Sequence, residues 1–181
     1  MSRRSKARNS KARTSSSSRS GSGTAKAGAR RTAAAPAATF PLDADCPCGF
    51  GKPYGECCGP FHAATTPEPG RAPVPAPATA ELLMRSRYSA FAVGDTAYLL
   101  RSWHSSTRPP LLALDPEQRW LGLEVLGSGE GGPFHLAGTV EFRARFAEGG
   151  EEGVLHEHSR FIREGGMWVY LDALPDRPGR G

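Results

Sequence analysis

The sequence predicts an α+β fold, in which helices pack across one face of an antiparallel sheet, preceded by a small four-cysteine metal knuckle. Three observations support this prediction. Apolar residues recur at helical spacing between residues 79 and 103, strand-like alternation follows over residues 120–172, and all four cysteines fall within residues 46–58. Helices first and strands afterwards are typical of α+β domains, and about a hundred residues suffice for one modest core.

The chain begins with a basic tail of low complexity. Residues 1–45 carry ten Lys and Arg against two Asp, a charge of +8, whereas the remaining residues carry a net charge of −3. Residues 1–39 contain almost no large apolar side chain, so they cannot bury enough surface to offset their backbone entropy. We expect residues 1–43 to be disordered. They form either a solvated tail or an arm that contacts ribosomes or nucleic acid through phosphates.

The cysteines are spaced as C-x-C-x8-C-C, which is typical of a metal site. Pro47 fixes the turn between the first two thiols, and nearby glycines permit the sharp path that returns the last two. Four thiolates close the shell of a tetrahedral zinc ion, so its role is structural rather than catalytic. The predicted ligands are Cys46, Cys48, Cys57 and Cys58. The residues expected to offset the negative charge around them are Gly49, Gly51 and Lys52.

Two other uses of the thiols stay open. Cys57 and Cys58 are adjacent and can form a strained vicinal disulfide, and a [2Fe–2S] cluster also takes four thiolates, although its usual spacings differ. No apolar run approaches the roughly 20 residues that span a bilayer, and no hydrophobic signal segment follows the basic start. We therefore expect a cytoplasmic protein without membrane association. Thiols stay reduced in the cytoplasm, which favours zinc.

A Pro-rich stretch and then a helix follow the cysteines. Residues 63–78 read as an extended linker, because five prolines fall between residues 67 and 77. Thr79 can cap the helix, Gly94 ends it, and Arg85 and Ser89 are expected away from its apolar stripe. The stripe consists of Ala80, Leu83, Met84, Tyr88 and Phe91.

Two shorter helices are predicted before the sheet. Asp95 can cap the first of them, which carries Tyr98, Leu99 and Trp103. The segment Asp115-Pro116-Glu117 indicates the start of the second, because Pro is favoured at the first helical position.

The spacing of the apolar residues changes from helical to strand-like at Trp120. Leu121, Leu123 and Val125 alternate with Gly122 and Glu124. The longest alternation begins at Phe134, with Gly138 as an expected bend point. Its apolar face consists of Phe134, Leu136, Gly138, Val140, Phe142, Ala144 and Phe146.

Two further strands complete the predicted meander of about four strands. They cover residues 154–163 and 167–172, and they are joined by a hairpin turn at Glu164-Gly165-Gly166.

The cysteine segment resembles the SEC-C motif, the zinc knuckle also found at the C-terminus of the SecA translocation ATPase. The resemblance rests on Cys46-Pro47-Cys48-Gly49-Phe50-Gly51-Lys52-Pro53-Tyr54-Gly55-Glu56-Cys57-Cys58-Gly59. In SecA the last ligand is typically His, whereas Cys58 stands there in this chain, and Phe50 stands where the motif commonly has Ser. The resemblance implies one structural zinc ion per chain. It also implies a docking surface, because the SecA knuckle docks the export chaperone SecB and ribosomes.

Other segments are similar to the YchJ-like family of bacterial proteins. They are Leu82-Leu83-Met84-Arg85-Ser86-Arg87-Tyr88-Ser89-Ala90, Tyr98-Leu99-Leu100, Trp103-His104 and Trp120-Leu121-Gly122-Leu123. The resemblance covers about residues 44–173 and implies a nuclear transport factor 2-like cone. The resulting division is a tail at 1–43, the knuckle at 44–62, a linker at 63–78, the cone at 79–173 and a flexible C-terminus at 174–181.

A cone of this class often holds a pocket between its helices and its concave sheet, and some members of the class are enzymes. The residues expected at such a pocket are Arg85, Tyr88, Trp103 and His104. Arg85 and Arg87 diverge by roughly 200° around a helix, so at most one of them faces the pocket. His156 and His158 share a strand face that we expect to be solvated. No Asp and His stand at a spacing that compels catalysis, so no catalytic residue is assigned.

Three functions follow from these features. The favoured one is a cytoplasmic zinc-binding module that binds a protein partner through the knuckle, linked to protein export or translation. The second is a small-molecule binder or enzyme that uses the cone's pocket, with zinc purely structural. The third is a ribosome or nucleic-acid binder, in which the basic tail and the knuckle cooperate.

Overall fold

The structure, a computed structural model, describes residues 40–63 and 75–175. The expected basic arm before residue 40, the linker residues 64–74 and the chain after residue 175 lie outside the described residues. Three helices are followed by four strands: α1 (Gly59–His62), α2 (Ala80–Val93), α3 (Thr96–Arg101), β1 (Arg119–Glu130), β2 (Ala137–Glu148), β3 (Glu151–Glu164) and β4 (Met167–Ala173). The α+β prediction is confirmed.

The strands form one antiparallel meander in the order β1-β2-β3-β4. Each of the last two hairpins turns on a pair of glycines with positive φ, at Gly149-Gly150 and at Gly165-Gly166. Both central residues of a type I′ turn need positive φ, which glycine adopts without strain. The turn at Glu164-Gly165-Gly166 is where the sequence predicts it.

Helix α2 has the predicted ends. The Thr79 hydroxyl accepts a hydrogen bond from the Leu82 amide at 3.1 Å, and Gly94 closes the helix in the left-handed conformation with φ 77°. Four of the five stripe residues are buried and Phe91 packs against the core at its edge. The expectation that Ser89 lies away from the core is wrong, because its side chain is 0% exposed. The buried arc of α2 is wider than the apolar stripe because the knuckle covers a second side of it.

Strand β2 begins later than the alternation indicates. Val140, Phe142 and Ala144 are buried as predicted, but Phe134 is 98% exposed and Leu136 is 78% exposed. Phe134 and Leu136 belong instead to the loop that connects β1 to β2. The Gly131 amide donates to the Ala137 carbonyl at 3.2 Å, and the chain between them turns back on itself.

Two β-bulges interrupt the alternation of β1. Their extra residues are Leu121 and Leu126, which are 39% and 38% exposed. A bulge places two residues opposite one and shifts the following residues to the other face. As a result Trp120, Leu123 and Val125 pack against the core, whereas Leu121 does not.

The predicted helix at Asp115-Pro116-Glu117 is wrong. The segment forms a turn in which Asp115 Oδ1 accepts from the Glu117 amide at 2.8 Å. Asp stabilises such side-chain turns as readily as helix starts, and β1 begins at Arg119, too soon for a helix to form. None of the helices in the described ranges is long and apolar enough to cross a lipid bilayer.

Candidate metal centre

The four cysteine Sγ atoms meet at one point. All of them lie within 4.8 Å of one another, with 3.6 Å between Cys48 and Cys57 and 4.0 Å between Cys57 and Cys58. A tetrahedron of thiolates around zinc has edges of about 3.8 Å, since each Zn–S bond is about 2.3 Å. The donor set therefore fits one four-coordinate metal ion and leaves no position for water. Three of the thiols are buried and Cys57 is partly exposed.

The loop of residues 46–52 presents the first two thiols. Its ends are joined because the Cys46 amide donates to the Lys52 carbonyl at 3.0 Å, and the Gly49 amide donates to the Cys46 carbonyl at 3.0 Å. Gly49 and Gly51 have φ of 71° and 75°, which side-chain-bearing residues rarely adopt. A single 3₁₀ turn at Tyr54–Glu56 then brings the last two cysteines back to the loop.

The close packing of the cysteines shifts the pKa values of three of the thiols in opposite directions. Hydrogen bonds from the Cys48 and Cys58 thiols hold the pKa of Cys46 far below its usual range. Burial raises the pKa of Cys57 to about 12, and the hydrogen bond to Cys46 raises the pKa of Cys58. Cys57 and Cys58 must therefore release their protons to ligate a divalent ion.

Arg85 of α2 brings a cation to the ligand loop. Its Nη1 donates to the Cys48 carbonyl at 3.3 Å, and its guanidinium lies over the Phe50 ring, 5.3 Å from the centroid. Lys52 is exposed and contributes its backbone carbonyl. The buried Ser89 hydroxyl lies 3.5 Å from Cys46 Sγ. The sequence analysis places Arg85 at the pocket and Ser89 away from the apolar stripe, and neither at the knuckle, because only the tertiary fold brings α2 against the loop.

The knuckle is packed onto the helices through His62, another residue that sequence reasoning missed. His62 Nε2 donates to the Ser86 carbonyl at 2.8 Å, so its Nδ1 accepts from the Tyr54 hydroxyl at 2.6 Å in the neutral ring. Burial lowers the pKa of His62, which favours this neutral form. Arg101 of α3 donates to the His62 and Phe61 carbonyls at 2.8 and 3.0 Å. Cys46, Cys48 and Cys58 accordingly belong to the same buried cluster as the core of the cone.

A second candidate site is a cavity of about 300 Å³ between α2 and the sheet. Tyr88 and Trp103, both expected at a pocket, line it, but Arg85 and His104 do not. Arg85 bonds to Glu81 at 2.9 Å and to the knuckle. His104 Nδ1 lies 2.7 Å from the Ser106 hydroxyl, outside the cavity.

Arg87 takes the place that Arg85 was expected to hold. Its side chain is 6% exposed and lines the cavity. The sequence predicts that the two arginines diverge around α2, but which of them faces inward depends on how α2 packs against the knuckle, where Arg85 bonds to the Cys48 carbonyl.

The sheet adds three polar side chains that sequence reasoning missed, Glu157, Ser159 and Tyr170. Glu157 and Ser159 share the inner face of β3 with Leu155 and Phe161. The sequence pattern that could have identified them is the two-residue spacing of Glu157 and Ser159 with the core residues Leu155 and Phe161, which puts all four on one face of a strand. His156 and His158 lie on the other face of β3, where His156 Nε2 is 2.8 Å from Glu141 Oε1.

Comparisons with known proteins match both parts of the chain. A family model described as "YchJ, middle NTF2-like domain" matches residues 79–173. A UPF0225 protein of Streptomyces coelicolor is 52% identical over 127 residues, which cover 70% of this chain and 92% of that protein. A UPF0225 protein of Ralstonia nicotianae is 49% identical, with 76% of this chain and 93% of that protein covered.

Two solved structures are similar as well, and each is described as a SEC-C motif containing protein. The solution structure from Rhodopseudomonas palustris has a TM-score of 0.60 at 36% identity, covering 74% of this chain and all of that one. The crystal structure from Psychrobacter arcticus has a TM-score of 0.54 at 28% identity, covering 70% and 80%.

Proposed function

The chain belongs to the YchJ-like family of SEC-C motif proteins, and on that premise we propose that it is a cytoplasmic zinc-binding protein whose knuckle docks a protein partner. Zinc is the metal proposed, because four thiolates in a tetrahedral set suit it and a reducing compartment keeps them available. The closed donor set supports a structural role for the ion. Its contribution is to hold the knuckle surface in one shape.

The observation that carries the docking proposal is the exposure of Phe50. Its side chain is 52% exposed although it lies within the ligand loop and under the Arg85 guanidinium. An exposed aromatic residue on a rigid loop loses little conformational entropy on binding and is a common anchor of protein interfaces. Phe50 also stands where the SEC-C motif commonly has Ser, so the anchor is a feature of this chain.

A shallow groove beside Phe50 supplies the rest of the surface. It has a volume of about 170 Å³ and is bordered by Lys52, Cys57, Phe61 and Leu82. A partner segment with one apolar side chain fits a groove of this size and composition. By analogy with the SecA knuckle, the partner belongs to protein export or translation. The alternative of binding through the basic tail concerns residues outside the described ranges and stays a prediction.

The test is partner capture with the zinc-loaded full chain as bait, followed by reconstitution with the purified partner. We expect Phe50→Lys to weaken the reconstituted binding about tenfold or more, because it removes the exposed aromatic anchor that the partner would bury. Phe134→Lys is the matched control. It changes another exposed phenylalanine, in the β1–β2 connection, and should leave the affinity unchanged.

Equal losses in the two variants, or binding that persists after the knuckle's metal is removed, would contradict docking through the knuckle. Circular dichroism of both variants should match the unmodified chain, because both side chains are exposed.

A further inference from the structure

Arg87 is a buried cation without a buried anion in contact. Its Nη1 donates to the Leu99 carbonyl and to the Ser102 hydroxyl, both at 2.8 Å, and its guanidinium lies 4.7 Å from the centroid of the Tyr170 ring. The ion pairs within 4.0 Å among the described residues do not include Arg87. Burial lowers the pKa of Arg87 to about 10, so it remains protonated at neutral pH. Glu157 lines the same cavity and acts on Arg87 only from beyond ion-pair distance. A buried charge without a counterion in contact is costly, and an anion that pairs with it offsets that cost.

Trp103, which also lines the cavity, carries an unused donor. Its Nε1 is fully buried and has no hydrogen-bond partner among the described residues. Arg87 lies over the Trp103 ring, 5.0 Å from its centroid, so the two donors are neighbours. Buried indole N–H groups nearly always find a partner, and a ligand acceptor would satisfy this one.

The other end of the polar lining carries a negative charge. Glu157 Oε1 accepts from the Ser159 hydroxyl at 2.5 Å and from the Tyr170 hydroxyl at 3.1 Å. Both of these bonds end on Oε1, and Oε2 has no hydrogen-bond partner among the described residues. Tyr170 separates the two ends, because its ring faces Arg87 and its hydroxyl contacts Glu157.

Aromatic rings form much of the remaining wall. They belong to Phe91, Trp120, Phe142 and Phe161. The volume of about 300 Å³ lies at the lower end of the roughly 300–1,000 Å³ of small-molecule pockets. The space therefore suits a single substituted ring.

We propose that this cavity binds a small aromatic carboxylate that carries a hydroxyl or amino group away from its acid. The carboxylate faces Arg87 and the Trp103 indole, the donor faces Glu157, and the ring packs against the aromatic wall. A dianion is disfavoured by Glu157 and an uncharged ring leaves Arg87 unpaired. The site is independent of the knuckle and of any partner that docks there.

The test uses the zinc-loaded full chain with 4-hydroxybenzoate and 4-aminobenzoate as probes. We expect a saturable shift of the Trp103 indole N–H signal in NMR spectra, with the signal assigned by Trp103→Phe. Methyl 4-hydroxybenzoate, which lacks the charge, should bind about tenfold more weakly or worse, the effect of losing a charge-assisted hydrogen bond.

Arg87→Met should weaken binding of both probes to the same degree. Arg143→Met is its matched control, because Arg143 lies on the exposed face of β2, and it should bind as the unmodified chain does. If Arg87→Met does not fold, Glu157→Gln and the ester comparison on the unmodified chain decide the question. For Glu157→Gln we expect the preference for the hydroxylated probe over benzoate to shrink.

Absence of a saturable Trp103 shift with both probes at millimolar concentration would overturn the proposal. Equal affinity for the acid and its methyl ester would also overturn it, because the cavity would then bind by apolar contact alone.

Discussion

Replacing Cys48 with Ser is expected to lower the midpoint of thermal unfolding of the whole folded region by about 10 °C or more. Cys48 is 0% exposed and its cluster shares the core of the cone, so the metal site and the cone should unfold together. Structural zinc contributes on the order of 10 kcal/mol to small zinc domains. Losing even about 3 kcal/mol of that shifts the midpoint by about 10 °C in a domain of this size. Scanning calorimetry measures the midpoint.

A chelator supplies the control for this variant. It should lower the midpoint of the unmodified chain to nearly that of Cys48→Ser and leave the variant unchanged, because both treatments remove the same metal. A knuckle that melts in a separate early transition, with the main transition unmoved, would contradict the shared core.

Replacing Gly138 with Ala is expected to lower the free energy of unfolding by about 3 kcal/mol or more. The added methyl group would clash with a neighbouring backbone that cannot move away without breaking hydrogen bonds. An added Cβ would lie 2.6 Å from the Gly131 backbone nitrogen. Neither backbone can retreat, because β1 pairs with β2 through Glu130 and Gly138 and the Gly131 carbonyl accepts from the Ala80 amide at 2.9 Å. Denaturant titration gives the free energy.

Gly127→Ala is the matched control for this second substitution. It lies in the same strand pair, but an added Cβ there meets nothing within 4 Å and its φ is not positive. We expect it to change the free energy of unfolding by about 0.5 kcal/mol or less. Similar costs for the two alanines would show that the close approach of Gly131 and Gly138 does not constrain the fold.

Local sequence patterns correctly predict those features of the fold that depend on interactions between neighbouring residues. The cap at Thr79, the stop at Gly94 and the turn at Gly165-Gly166 each depend on a few neighbouring residues, and each is found. The alternation of buried and more exposed residues around Phe142 is as the sequence predicts, because one face of β2 is buried. The spacing of the four thiols identified the cluster for a similar reason, since all its members lie within one short loop and turn.

Apart from the local turn at Asp115, the failures have a common physical cause, which is long-range packing. The bulge at Leu121 depends on how β1 pairs with β2, and Phe134 is exposed because the chain turns before β2. The inward rotation of Arg87 rather than Arg85 depends on the knuckle lying against α2. His62 gains its role only when α2 is beside it. No single-sequence pattern encodes these contacts.

The most direct measurement of the central claim is metal content and thiol reactivity in the full chain purified without added metal. We predict one zinc ion per chain and four thiols that a disulfide reagent does not titrate until a chelator or denaturant is added. A chain without metal, in which two thiols have been lost to a reversible disulfide, would contradict it and would indicate a redox protein. Iron and sulfide in place of zinc would contradict it equally.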